Sequence, residues 1–124
     1  MKKTFAFVLL LCLLAATICS AQDAVKADSE PYSVVLENDH VRVLDIHYGP
    51  HAKGNMHSHP CSVTVFLTDG TLRMTMPDGE SRVASIKAGQ TVWEDSGGHQ
   101  PENLSDQPFH AIRTELKNSQ DCTK

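Results

Sequence analysis

A chain of 124 residues makes one domain at most, and its 15 acidic against 11 basic side chains give a formal charge of −4. No cluster of Lys and Arg follows residue 3 and aromatic content is only 6%. That balance makes a poor partner for nucleic acid or an anionic membrane and leaves a small-molecule ligand as the expected partner.

The first residues read as a targeting segment. Met1-Lys2-Lys3 is a short basic head, an apolar run follows from Phe5 to Ala16, and Cys19, Ser20 and Ala21 are small residues before polar Gln22. This order predicts a secretory signal peptide over 1–21, cut after Ala21, and a periplasmic or secreted product. The apolar run is shorter than the roughly 20 residues a membrane span needs, so no membrane association is expected after cleavage. Bulky Ile18 argues against lipidation at Cys19, and the Lys-Lys-led signal looks bacterial. Without Lys2 and Lys3, nine basic residues face fifteen acidic ones, a formal charge of −6. Cys12 and Cys19 leave with the signal, and of the two that remain Cys61 lies near the candidate site while Cys122 lies in a polar tail. The expectation is a free Cys61 with no disulfide.

Residues 22–31 are polar and aperiodic and read as a flexible leader. Strands are predicted over 33–37 and 41–48, separated by Asn38-Asp39 and ended by Gly49-Pro50, with a loop over 51–56. The clearest strand is 62–68, with Val63, Val65 and Leu67 on one face and Thr64 and Thr68 on the other. Asp69-Gly70 is a hairpin signal, 71–76 returns, Pro77 to Glu80 turns into 82–87, and Ala88-Gly89 turns into 90–93. Ser96-Gly97-Gly98 is a loop delivering His99; 109–116 is the closing strand, and 118–124 a polar tail. Seven or eight short strands without a helical stripe predict an all-β fold, an antiparallel sandwich or double-stranded β-barrel (jelly roll) over 32–117.

Within this frame His57-Ser58-His59 stands out. Alternation along an extended chain puts both imidazoles on one side, as metal coordination needs. An isolated pair would be read as exposed loop histidines, but here a strand, a hairpin and a distant third histidine, His99, follow. Three neutral imidazoles suit Fe, Mn, Zn, Ni or Cu as a divalent cofactor, and ligand type does not choose among them.

The arrangement resembles the cupin family. Its first motif, glycine then His-x-His, a glutamate three or four residues later and then glycine, is matched by His57-Ser58-His59, Pro60-Cys61-Ser62 and Gly70. Its second, from glycine through proline-x-glycine to histidine and asparagine, is matched by Gly89, Gly97, His99 and Asn103. The likeness covers 41–116. It implies a small double-sheet barrel with the site inside one end and His57, His59 and His99 as metal ligands. Val63 holds the glutamate's place and Asp95 the proline's. Cupins without that glutamate include three-histidine iron oxygenases acting on thiols and diketones. Its loss leaves a more positive site with an extra open position, suited to anionic or chelating ligands. A cupin that keeps its histidines as pocket groups without metal is the opposing reading.

Other candidates surround the three. Cys61, in series with Val63, is either a soft ligand or redox-sensitive neighbour or a small buried filler. Glu94 and Asp95 either supply the missing acid or a general base, or form a solvated turn. Trp93 either walls the pocket or packs in the barrel. His110, alternating with Ile112 and Leu116, is expected to face the interior; His40 and His51 are expected in exposed turns, and His47 is unassigned. Asn103-Leu104-Ser105 is a glycosylation acceptor only in a eukaryotic source. Two functions follow: a metal-dependent dioxygenase, or lyase or isomerase, acting on a small molecule; alternatively, a non-catalytic periplasmic cupin that binds a small ligand or the metal itself. Family analogy adds a homodimer formed through edge strands.

Overall fold

The computed structural model describes residues 22–118; the expected signal peptide, most of the tail and Cys122 lie outside them. The elements in chain order are β1 (Gln22–Asp23), α1 (Ala24–Ala27), β2 (Tyr32–Glu37), β3 (Val41–Tyr48), β4 (His57–His59), β5 (Ser62–Phe66), β6 (Gly70–Thr75), β7 (Ser81–Ile86), β8 (Thr91–Glu94), β9 (Gly97–Asn103) and β10 (Phe109–Leu116). They form two five-stranded sheets, ordered β1-β4-β9-β6-β7 and β2-β3-β10-β5-β8. All strand pairs are antiparallel except β1 with β4, which is parallel. The mostly antiparallel cupin-like architecture is therefore the expected one.

Local chemistry accounts for the turns. Asn38 accepts the backbone N–H groups of His40 and Val41 on its side-chain oxygen at 2.8 and 2.9 Å, a side-chain-closed turn between β2 and β3. Gly79 and Gly89, with φ of 88° and 85°, take the left-handed conformation in the β6–β7 and β7–β8 connections, where a side chain would be strained.

The core is thin and lies between the sheets. Leu44, Ile46 and Tyr48 alternate inward from β3, Phe109 and Ala111 from β10, and Phe66, Leu72 and Ile86 complete it. On β5 the inward face is Ser62, Thr64 and Phe66, whereas Val63 and Val65 are only half-buried. The valines thus face out and the hydroxyls face in.

Two expectations are corrected here. Residues 22–31 are not a flexible leader. β1 adds to β4, Asp23 caps α1 by accepting the Val25 N–H at 3.1 Å, and Ala24 is fully buried in the core. Small Ala24 and the short acidic side chains suit close docking, and a polar composition concealed it. Secondly, 97–99 is not a loop: β9 begins at Gly97, so His99 stands on a strand beside the His-x-His pair.

Candidate metal centre

The site follows from one strand pairing. β4 and β9 run antiparallel with His57 directly opposite His99 and His59 opposite Gly97. Cross-strand partners on one face stand about 5 Å apart, and the residue two along lies on the same face. The three rings accordingly form a near-even triangle, with centroids 4.8 Å (His57–His59), 5.0 Å (His57–His99) and 5.2 Å (His59–His99) apart. Their ligating nitrogens all lie within 4.8 Å of one another.

Neighbours fix the tautomers. His57 Nδ1 lies 2.9 Å from the Asn55 carbonyl and 3.2 Å from Asp28 Oδ2. Both are acceptors, so the proton sits on Nδ1, and Nε2 accepts the Tyr32 hydroxyl at 3.1 Å. His59 Nδ1 donates to Glu115 Oε1 at 2.6 Å. Its Nε2 is buried and has no hydrogen-bond partner among the described residues. Leaving a buried acceptor unpaired costs about 1–3 kcal/mol, and a metal ion would use that lone pair. Imidazoles held by a carboxylate on the far nitrogen are the usual support of metal-ligating histidine.

Burial, followed by the nearby Arg113 charge, depresses both His59 and His99 to a pKa of about 2. Burial also lowers His57, against the pull of Asp28. All three are neutral near pH 7, so no proton competes for the ligating nitrogens. Burial raises the Tyr32 hydroxyl to about 12, which keeps it a donor.

Around the triad runs a shell of buried charge. Glu115 also accepts Arg42 Nε at 2.6 Å, and Arg42 in turn pairs with Asp23. Arg113 donates Nε to Thr64 Oγ1 at 3.1 Å and pairs with Glu94, whose Oε2 accepts Thr64 at 2.5 Å. Arg113, Glu94, Thr64, His99 and Tyr32 line a cavity of about 30 Å³ between the sheets. A larger groove of about 540 Å³ opens between residues 27–31 and 47–55, but none of the three clustered histidines lines it.

The sequence-predicted residues divide sharply. His57, His59 and His99 converge, and Glu94 lines the cavity rather than sitting in a solvated turn. Val63 does not line the cavity. The chain crosses from one sheet to the other between His59 and Ser62, which resets the alternation, and the inward side chain is Thr64 after four intervening residues. Thr64 is thus the neutral residue where the family carries its acid. Cys61 is fully buried and disulfide-bonded, not free; its partner falls outside the described residues. Trp93 is 40% exposed and donates Nε1 to Asp95 at 2.8 Å, so neither walls the site. His110 faces outward, because the buried residues of β10 are Phe109, Ala111, Arg113 and Glu115.

Asp28, Tyr32, Arg42, Arg113 and Glu115 were absent from the sequence reading. For the last two a signal existed, since period-two alternation from Phe109 places both on the inward face.

Gly54 shows how tightly this shell is built. A Cβ there would lie 2.5 Å from the Tyr48 hydroxyl and 2.6 Å from Asp28 Oδ2. Asp28 is fastened by the Asn55 backbone N–H at 2.8 Å and by Tyr48 at 3.3 Å, and so has little freedom to give way. Gly54→Ala should lower stability by about 1–3 kcal/mol through overpacking, measurable as a reduced urea midpoint. An unchanged midpoint would mean that Asp28 is less constrained than its bonds indicate.

A mostly antiparallel two-sheet fold with three converging histidines, two buried and one half-buried, and no motif glutamate defines a metal-binding cupin, with a centre suited to a divalent transition ion. No family model matches the chain. It is 34% identical over 87 residues to the β-alanine degradation protein BauB of Pseudomonas aeruginosa, covering 68% of this chain and 90% of that protein. Its fold is similar to that of a cupin domain from Bordetella pertussis, with TM-score 0.65 and 27% identity over 69% of this chain and 91% of the other. A Klebsiella pneumoniae protein with a double-stranded β-helix domain is similar in fold, with TM-score 0.58 and 22% identity over 73% and 78% of the two chains. The chain belongs to the cupin superfamily.

Proposed function

We propose that the protein is an exported metalloenzyme that acts on a small carboxylate at a divalent ion held by His57, His59 and His99. The observation that carries this reading is the buried, unpartnered Nε2 of His59 among two further neutral imidazoles. A bound ion would supply Lewis acidity for a lyase or isomerase reaction, or oxygen chemistry if it is iron.

The chain's own residues supply the rest. Arg113 is 4% exposed and its guanidinium keeps donors beyond those given to Thr64 and Glu94, enough to hold a carboxylate. The Tyr32 hydroxyl can turn from His57 to a substrate oxygen once that nitrogen is engaged. Glu94, at 30% side-chain exposure, is the carboxylate placed to move a proton. A relative named for β-alanine degradation agrees with a small amino-acid-derived acid. The disulfide at Cys61 favours export, since such bonds persist in oxidising compartments. The two sheets are then the walls of a jelly-roll barrel enclosing the site.

The test is metal analysis of untagged protein, with His57→Ala and His99→Ala, followed by turnover and O₂-uptake assays on small carboxylates. At least one equivalent of metal in the wild type, one equivalent fewer in both variants, and turnover with one of the acids are expected. Negligible metal in the wild type, or metal unchanged in both variants, would overturn the reading. The second reading, a non-catalytic binder, is favoured by the cavity of about 30 Å³, room for little more than a water-sized group. Tight metal retention without turnover would establish it.

A further inference from the structure

A second group of metal-ligating side chains lies on the outer face of the other sheet. His47 on β3 and His110 on β10 are direct cross-strand partners, and Asp45 is two residues from His47 on the same face. The imidazoles stack with centroids 3.9 Å apart and planes at 20°. Their Nε2 atoms converge on the two oxygens of one carboxylate, at 3.1 Å from Asp45 Oδ2 for His47 and 2.6 Å from Oδ1 for His110. One ligating atom from each residue lies within 4.8 Å of the other two.

We propose that Asp45, His47 and His110 form a second, solvent-facing site for a borderline divalent ion such as Zn²⁺. Two imidazoles and one carboxylate are the donor set such ions prefer, with water filling the open positions. The scaffold is rigid, because β3 and β10 are adjacent inner strands and the register fixes both rings. The ion enters by replacing the two histidine–carboxylate hydrogen bonds as each neutral imidazole moves its proton from Nε2 to Nδ1, so the backbone need not rearrange. Access also differs from the buried triad: the side chains are 58% (His47), 26% (Asp45) and 31% (His110) exposed. His47 borders the 540 Å³ groove as well, which leaves room for water or a small anion on the ion. The site is therefore an exchanging one, loaded and emptied by the surrounding solution.

The competing account is a hydrogen-bonded surface cluster in which Asp45 merely accepts two N–H groups. Calorimetric titration of untagged, chelator-stripped protein with ZnCl₂ near neutral pH separates the two. His59→Ala, which removes a triad ligand, should still bind Zn²⁺ once. Adding His47→Gln and His110→Gln to that chain should abolish binding, with far-ultraviolet circular dichroism unchanged because both side chains lie on the outer face of the sheet, away from the core. In the otherwise wild-type chain the same pair of changes should remove one binding event and spare the other. No Zn²⁺ binding by His59→Ala, or binding undiminished by the added changes, would overturn the proposal. Failure of the buried site reads differently: wild type would then bind once, and His47→Gln with His110→Gln would remove that event.

Discussion

Glu115→Ala is expected to cost about 3–5 kcal/mol of folding stability and to weaken metal binding roughly 10–100-fold. Glu115 is 1% exposed and accepts from both Arg42 and His59 at 2.6 Å. Its removal leaves the Arg42 guanidinium, 18% exposed, with Asp23 alone, and the His59 Nδ1–H with no acceptor. The imidazole is then free to change tautomer or rotate, and its ligating nitrogen is no longer held for the ion. Urea unfolding in the presence of a chelator isolates the stability loss from the stabilisation that bound metal adds. Metal affinity is read separately by competition with a chelating dye. Glu115→Gln preserves the volume but not the charge. It should recover part of the stability and little of the metal affinity. Full recovery of both would reduce Glu115 to a packing residue.

Arg113→Met should weaken recognition of a carboxylate ligand while leaving the three imidazoles in place. A hydrogen bond to a charged group contributes about 1.5–3 kcal/mol, or a loss of roughly 10–100-fold in affinity. Stability should fall by about 1–3 kcal/mol as a buried pair loses one partner, tempered because Glu94 is 30% exposed and can turn to water. Removing the positive charge also relieves the repulsion that Arg113 exerts on a cation among the histidines. Metal affinity should therefore rise as carboxylate affinity falls, and these opposite signs distinguish Arg113 from a structural residue, whose loss would depress both. Calorimetry with Zn²⁺, and then with malonate on the metal-loaded protein, measures each in turn.

How much of this was legible in the chain depends on distance along it. Strand alternation puts His57 and His59 on one face, and the glycine pair before His99 marks a third candidate; both are local signals. The supporting groups come from far away: Asp28 lies 29 residues from His57, and Glu115 56 residues from His59. No local period links such positions. Two errors arose from phase. His110 was set inward with Ile112, although Phe109 anchors the opposite phase and carries Arg113 and Glu115 inward with it. Motif spacing puts Val63 in the glutamate's place, whereas the crossing between sheets makes Thr64 the inward residue. The docking of the leader is not legible because a segment this short buries only Ala24 and Asp28, and its composition reflects mainly what is left outside.

The placement of β10 bears on how the chain comes to be made. Among the described strands it is the last to be synthesised, yet it sits at the centre of its sheet, between β3 and β5. Until it arrives, those two strands expose unpaired edges and lack each other as neighbours. The same strand brings Arg113 and Glu115, so the three histidines of β4 and β9 lack their buried charged support on the growing polypeptide. Folding must wait for the whole domain, and a chain arrested before residue 109 would be a template for aggregation rather than a half-built site. Under the export proposed above, which would require the chain to stay unfolded on its way through a membrane, that delay is an advantage written into strand order.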